Sequence, residues 1–174
     1  MSSNFNNADF VSLFLRLPRY EDLNFLFLLH TDERVMRYTG ELCWTNIEES
    51  EELITNEIKE CSTGICRYVV CLPNGIPIGF AGFRKWNFMP GPIDISFRFR
   101  YEYWNMGYAS KCIELLKQIA LQSLQLNALR AQVHPQNTYS IRVLEKCGFN
   151  FSHTFKWESQ IWLAYQIMLA EQER

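Results

Sequence analysis

Residues 101–112 read "YEYWNMGYASKC", and the fold turns on how they are read. Aromatic residues lead in, Asn105 and Gly107 interrupt, and from Tyr108 onward the apolar residues fall at helical spacing. Ala109, Cys112, Ile113, Leu116, Ile119 and Ala120 follow the i, i+3, i+4, i+7 rule of an amphipathic helix. Just upstream, "IDISFRF" alternates. Ile93, Ile95, Phe97 and Phe99 face one way and Asp94, Ser96 and Arg98 the other, as in a half-buried strand. A strand therefore passes through a glycine-containing break into a helix. The first turn of such a helix presents unpaired backbone N–H groups at the positive end of its dipole, a ready site for phosphate. Gly107 leaves the backbone open to close approach, and Asn105 tolerates left-handed conformations. Ser110 adds a hydroxyl and Lys111 a positive charge. The same glycine also suits a chain that needs only a tight strand-to-helix turn. Neither a dinucleotide fingerprint nor a Walker-type phosphate loop is present.

Working outward, "VSLFLRL" at 11–17 reads as a first strand with Leu13, Leu15 and Leu17 on one face. Pro18 ends it, and Glu21 and Asp22 suit the first turn of the helix that follows. A short second helix is expected over 32–38. "TNIEESEELITNEIKEC" reads as an acidic amphipathic helix with Ile47, Leu53, Ile54 and Ile58 inward. Then the period shortens. Two β-like runs flank Pro73-Asn74-Gly75, a hairpin signal. Beyond the long helix, "ALRAQVHP" is a strand. "NTYSIRVLEKCGF" is a compact helix capped by Asn137 and stopped by Gly148. "NFSHTFKW" and "QIWLAYQIML" are a closing pair of strands. This order predicts one α/β domain over residues 1–174, after a flexible segment 1–10. Its sheet is mixed and predominantly antiparallel, with helices on both faces.

Composition narrows the function. A chain of 174 residues with 48% hydrophobic content has ample core without metals or disulfides. A net charge of −2 argues against a dedicated nucleic-acid binder. No apolar run is long enough to span a bilayer, and the N-terminus lacks the zones of a signal peptide, so no membrane role and a cytoplasmic location are expected. The six cysteines include no CxxC pair, so free thiols and no metal are expected.

"YWNMGYASKCIELLKQIA" followed by "NTYSIRVLEKCGF" resembles the GCN5-related N-acetyltransferase (GNAT) superfamily, over about residues 13–169. The first stretch is similar to the loop that holds the acetyl-CoA pyrophosphate, its six positions being Trp104, Asn105, Met106, Gly107, Tyr108 and Ala109. The second is similar to the helix beside the pantetheine arm. The leading Trp, the "GYA" and the "NxxSxxxLxKxGF" resemble the ribosomal-protein N-terminal acetyltransferase (RimJ/RimL-like) branch. Where that branch usually has W-G-K-G, Asn105 and Met106 replace a glycine and a basic residue.

The resemblance implies acetyl-CoA as co-substrate, a primary amine as acceptor (protein N-terminus, polyamine or small amine), and a homodimer compatible with the family. It implies cofactor contacts at Phe97, Phe99, Trp104, Asn105, Met106, Gly107, Tyr108, Ala109, Ser110, Asn137, Ser140 and Lys146. Direct transfer needs a base for the amine, a donor for the thioester oxygen and an acid for the leaving thiolate. Backbone N–H groups near Ser96–Phe99 are implied for the oxygen. Many relatives place a Tyr acid where this chain has Leu144; the branch it resembles often lacks that Tyr and has the Ser of "NxxS" as candidate, which implies Ser140 as the acid, with Tyr139 behind it. Glu158 and Asp94 are the base candidates, each also readable as a solvated carboxylate. His134, His30 and His153 read as structural. Acceptor contacts are expected around Tyr38 and Trp44. Trp86, Phe88 and Trp157 are either pocket wall or core. An inactive CoA-binding protein is the alternative, and an unrelated α/β interaction domain remains a third reading.

Overall fold

The structure, a computed structural model, describes residues 12–85 and 91–169. Seven strands form one sheet in the order β1-β2-β3-β4-β5-β7-β6. They are β1 (Phe14–Arg16), β2 (Arg67–Cys71), β3 (Pro77–Arg84), β4 (Ile93–Phe99), β5 (Ala128–Val133), β6 (Asn150–Trp157) and β7 (Gln160–Met168). Every neighbouring pair is antiparallel except β4 and β5. The expected mixed, mainly antiparallel sheet is therefore what forms. The β2–β3 hairpin closes at Gly75, whose φ of 87° only glycine adopts readily. Its N–H donates to the Leu72 carbonyl at 2.8 Å.

Helices cover both faces. The helices α1 (Leu23–Thr31), α2 (Glu33–Met36) and α3 (Glu48–Glu60) lie on one side. Leu26, Leu29 and Ile54 pack there against Val69 and Phe80 of the sheet. On the other side α4 (Tyr108–Gln122) sets Cys112, Ile113, Leu116 and Ala120 against Ala81, Ile95 and Leu129. The short helix α5 (Thr138–Lys146) follows β5. Asn137 caps α5, its Oδ1 accepting from the Ser140 N–H at 3.2 Å, and Gly148 stops it at φ 86°.

Several local expectations are corrected. The first strand is only three residues long. Leu13 is buried, but Leu17 is 47% exposed, so the predicted face does not persist. Val11 and segment 1–10 lie outside the described residues, as do Trp86 and Phe88. Asp22 does lie in a first turn as expected, that of a 3-10 helix at Tyr20–Asp22, but its partners go beyond the helix dipole. It is buried and accepts from Arg16 at 2.6 and 2.7 Å and from the Arg19 N–H at 2.8 Å. The expected helix over 32–38 shrinks to α2, with the Asp32 carboxylate capping the Arg34 N–H. The inward face of α3 is Ser50, Leu53, Ile54 and Glu57, while Ile47 and Ile58 are exposed. Glu57 turns inward because β2 offers it partners: the Arg67 N–H and Nε, each at 2.7 Å. Cys61 and Cys66, expected as free thiols, are joined in a disulfide with their Cα atoms 5.0 Å apart. A 3-10 turn at Cys61–Thr63 and a left-handed Gly64 fold the chain back between them. Among the described residues, no helix is long and apolar enough to cross a membrane.

Candidate functional site

The site begins where the one parallel pair of strands comes apart. Ile93 pairs with Leu129 and Asp94 with Arg130, and the register between β4 and β5 ends there. Beyond that point β4 stays bonded to β3 as far as Phe99. Its other edge, from Ile95 to Phe99, turns its backbone groups toward an open fork. That fork is part of a cleft of about 1070 Å³, lined on the β5 side by Ala131, Gln132 and Val133.

The loop after β4 is shaped to meet the fork. The Trp104 indole N–H donates to the Phe99 carbonyl at 2.8 Å, and its ring packs beside Tyr101 at 5.2 Å. Asn105 is left-handed at φ 61°, and Gly107, the residue before α4, at φ 82°. The first intrahelical bond of α4 runs from the Lys111 N–H to the Gly107 carbonyl at 3.1 Å. The amides of Tyr108, Ala109 and Ser110 precede it and are left for a ligand. All three residues line the cleft, together with Trp104, Asn105 and Gly107. Met106 is not part of the lining and is 54% exposed.

The far wall is the start of α5. Asn137, Tyr139, Ser140 and the buried Leu144 line it. The structure thus brings together Phe97, Phe99, residues 104–110 apart from Met106, Asn137, Tyr139 and Ser140, and leaves out Lys111. It does not bring in Lys146, exposed in the last turn of α5, nor Glu158. Glu158 and Ser159 form the exposed turn of the β6–β7 hairpin at φ 47° and 66°. Asp94 does line the cleft, but it is no solvated carboxylate. It is 2% exposed and bound by Arg130 at 2.9 and 2.7 Å and by Gln132 at 3.3 Å.

A second charged cluster is invisible in the sequence. Glu41, on the loop after α2, accepts from Arg98 of β4 at 2.9 and 3.0 Å and from Arg84 of β3 at 3.2 Å. Burial raises the Glu41 carboxyl, but Arg98, then Arg84 and Arg67, outweigh it and hold it at about 2. Alternation places Arg98 on the polar side of β4, but no signal pairs it with a residue 57 positions away. Tyr38 lines the same region. Its ring stacks on His134 at 5.3 Å, and His134 meets the edge of Trp162 at 5.6 Å. Trp157 stands edge-on to Trp162 at 5.5 Å. Trp44, expected at the acceptor side, instead stacks on the buried His30 at 3.9 Å.

The arrangement offers a strand edge to an extended ligand, helix-terminal amides to an anion, and an aromatic and charged chamber beside them. The comparisons agree with it. The family model described as "Acetyltransferase (GNAT) domain" matches residues 12–150. The uncharacterized N-acetyltransferase p20 of Bacillus licheniformis is 26% identical over 139 residues, covering 79% of this chain and 78% of its own length. The crystal structure of a GNAT-family acetyltransferase from Bacillus anthracis superposes with a TM-score of 0.77 at 25% identity, covering 90% of this chain and 94% of that one. A spermidine N-acetyltransferase from Vibrio cholerae, solved with CoA and spermine, shares the fold with a TM-score of 0.78 at 21% identity, covering 90% and 95%. The chain is an acetyltransferase and belongs to the GNAT family.

Proposed function

We propose that this protein transfers an acetyl group from acetyl-CoA directly to a primary amine. The observation that carries the reading is the joining of the β4–β5 fork to the Gly107 turn in one cleft. The amides of Tyr108, Ala109 and Ser110 hold the diphosphate. The free edge of β4 from Ser96 to Phe99 aligns the pantetheine arm and donates an N–H to the thioester oxygen as charge develops there. The amine enters without its extra proton and attacks the carbonyl carbon. The C–S bond breaks, the attacking nitrogen gives up a proton to solvent, and the thiolate takes one. Ser140 is the acid assigned to that step, with Tyr139 beside it. Asn137 acts chiefly as the cap that points the Ser140 turn at the cleft. No base role is assigned to Glu158 or Asp94, since one lies in a distant turn and the other is locked by Arg130. Trp104, the Gly107-Tyr108-Ala109 run and the motif over 137–149 support placement in the RimJ/RimL-like branch, from whose loop Asn105 and Met106 depart.

The reading is tested in two steps. Acetyl-CoA should raise the melting temperature, because a ligand bound only by the native state stabilises it. Thiol release should then appear with at least one primary amine and rise with pH as the amine loses its proton. Gly107→Glu should abolish acetyl-CoA binding, since it puts a carboxylate against the diphosphate and forces a side chain into left-handed backbone. A folded Gly107→Glu protein that binds acetyl-CoA normally would show that the diphosphate sits elsewhere.

A further inference from the structure

From the charges around the acceptor chamber, we infer that the acceptor is a single amine carried on a neutral or anionic body, and not a polycation. The inference rests on the amine-acetylating reading above and narrows it to a substrate class.

A polyamine needs a counter-charge for each ammonium it brings into a cleft, because burying an unpaired charge costs several kcal/mol. Such sites are carboxylates or the faces of aromatic rings. Among the described residues three carboxylates line this cleft, and two of them are already engaged by arginine. Asp94 is held from two sides of its carboxylate by Arg130. Glu41 is held by Arg98 and Arg84. Burial raises the Glu41 carboxyl and the arginines more than reverse this, so it is a charged, satisfied acceptor at any working pH.

Two of the aromatic faces that line the cleft are taken in the same way. The Arg34 guanidinium lies over the Tyr101 ring at 4.1 Å, and that of Arg37 over the Tyr38 ring at 5.2 Å. Tyr38 presents His134 with a second stacking contact at 5.3 Å. One lining carboxylate remains, Glu33, at the exposed start of α2, and Arg37 stands one helical turn on from it. The acidic row of α3 does not line the cleft. A second ammonium would find Glu33 only at the exposed rim, and one further in would have to displace an arginine to reach a carboxylate. A lone uncharged amine needs no such site, and an anionic body would meet Arg37 at the rim.

The test compares thiol release from acetyl-CoA with three probes: a dipeptide amide with a free N-terminus, a tripeptide with free N-terminus and free carboxylate, and spermidine. The expected result is a kcat/KM at least tenfold higher for the better peptide than for spermidine, at low ionic strength. Arg37→Glu, a change at an exposed position, should narrow that gap several-fold. A preference for spermidine, or a gap that Arg37→Glu leaves unchanged, overturns the inference while the N-acetyltransferase reading stands. Acetyl-CoA binding without turnover on any of the three removes the reading itself, and the inference with it.

Discussion

His30 shows how a single buried side chain sets a pH limit on the fold. It is 1% exposed, stacked on Trp44, and its Nδ1–H donates to the Leu26 carbonyl at 2.7 Å. Burial, then the nearby Arg98 charge, lowers its pKa from 6.5 to about 3. The folded protein therefore binds fewer protons here than the unfolded chain does between those values. Its contribution to stability is complete above the unfolded value and is lost as pH falls below it. At pH 5 the loss is about 2 kcal/mol relative to neutral pH. Melting curves should show this loss in the natural protein and not in His30→Phe, which keeps the stack without the proton. An equal loss in both would place the titrating group elsewhere. Met106 is the other informative residue. Where related loops carry a basic side chain, Met106 stands 54% exposed beside the Gly107 turn. Met106→Lys should tighten acetyl-CoA by about two- to five-fold at low salt, the worth of an exposed charge contact. Calorimetry at high salt should erase the gain, because an exposed pair is screened.

At the scale of elements, what could be read from the sequence divides by range. Strand β4, helix α4, the Asn137 cap and the Gly148 stop were legible because each rests on local periodicity or one turn residue. The inward face of α3 was not, because Glu57 is buried only by virtue of Arg67 on the next strand. The Cys61–Cys66 pair was missed for a similar reason. Nothing in the spacing says that the chain reverses there, and the reversal depends on a 3-10 turn and a left-handed Gly64. The bond ties the end of α3 to the start of β2 and closes a short loop. Removing it by reduction or by Cys61→Ser should cost about 2 kcal/mol on the chain-entropy view. That corresponds to roughly 4–8 °C in melting temperature for a domain of this size. An unchanged melting temperature under reductant, with free thiols counted before and after, would mean the pair contributes nothing to the fold.

Across the whole molecule, the sheet is two antiparallel blocks, β1–β4 and β5-β7-β6, joined through the parallel pair β4–β5. The fork depends on this design: the blocks must be held at one end and part at the other. The sequence supplied both strands, but not their parallel contact, since they are separated by the whole of α4. Nor did it show that Asp94 faces Arg130 at the last pair before the opening. Asp94 is 2% and Arg130 4% exposed, and their bidentate pair stands where the ladder stops. Apolar packing on α4 crosses the same boundary, with Ile95 and Leu129 in one cluster. The ion pair is therefore not the only tie; at the fork it acts together with the Gln132 side chain, which donates to Asp94 at 3.3 Å. Asp94→Ala leaves a buried guanidinium without its carboxylate and should cost about 3–5 kcal/mol. Asp94→Leu combined with Arg130→Met removes both charges and should restore most of that loss, because the penalty belongs to a buried charge that has lost its carboxylate. Acetyl-CoA affinity discriminates further. If the pair sets the opening angle, the double variant should recover stability and still bind acetyl-CoA more weakly than the natural protein. Full recovery of both would make the pair a packing element alone, with the angle set by the helices on either side.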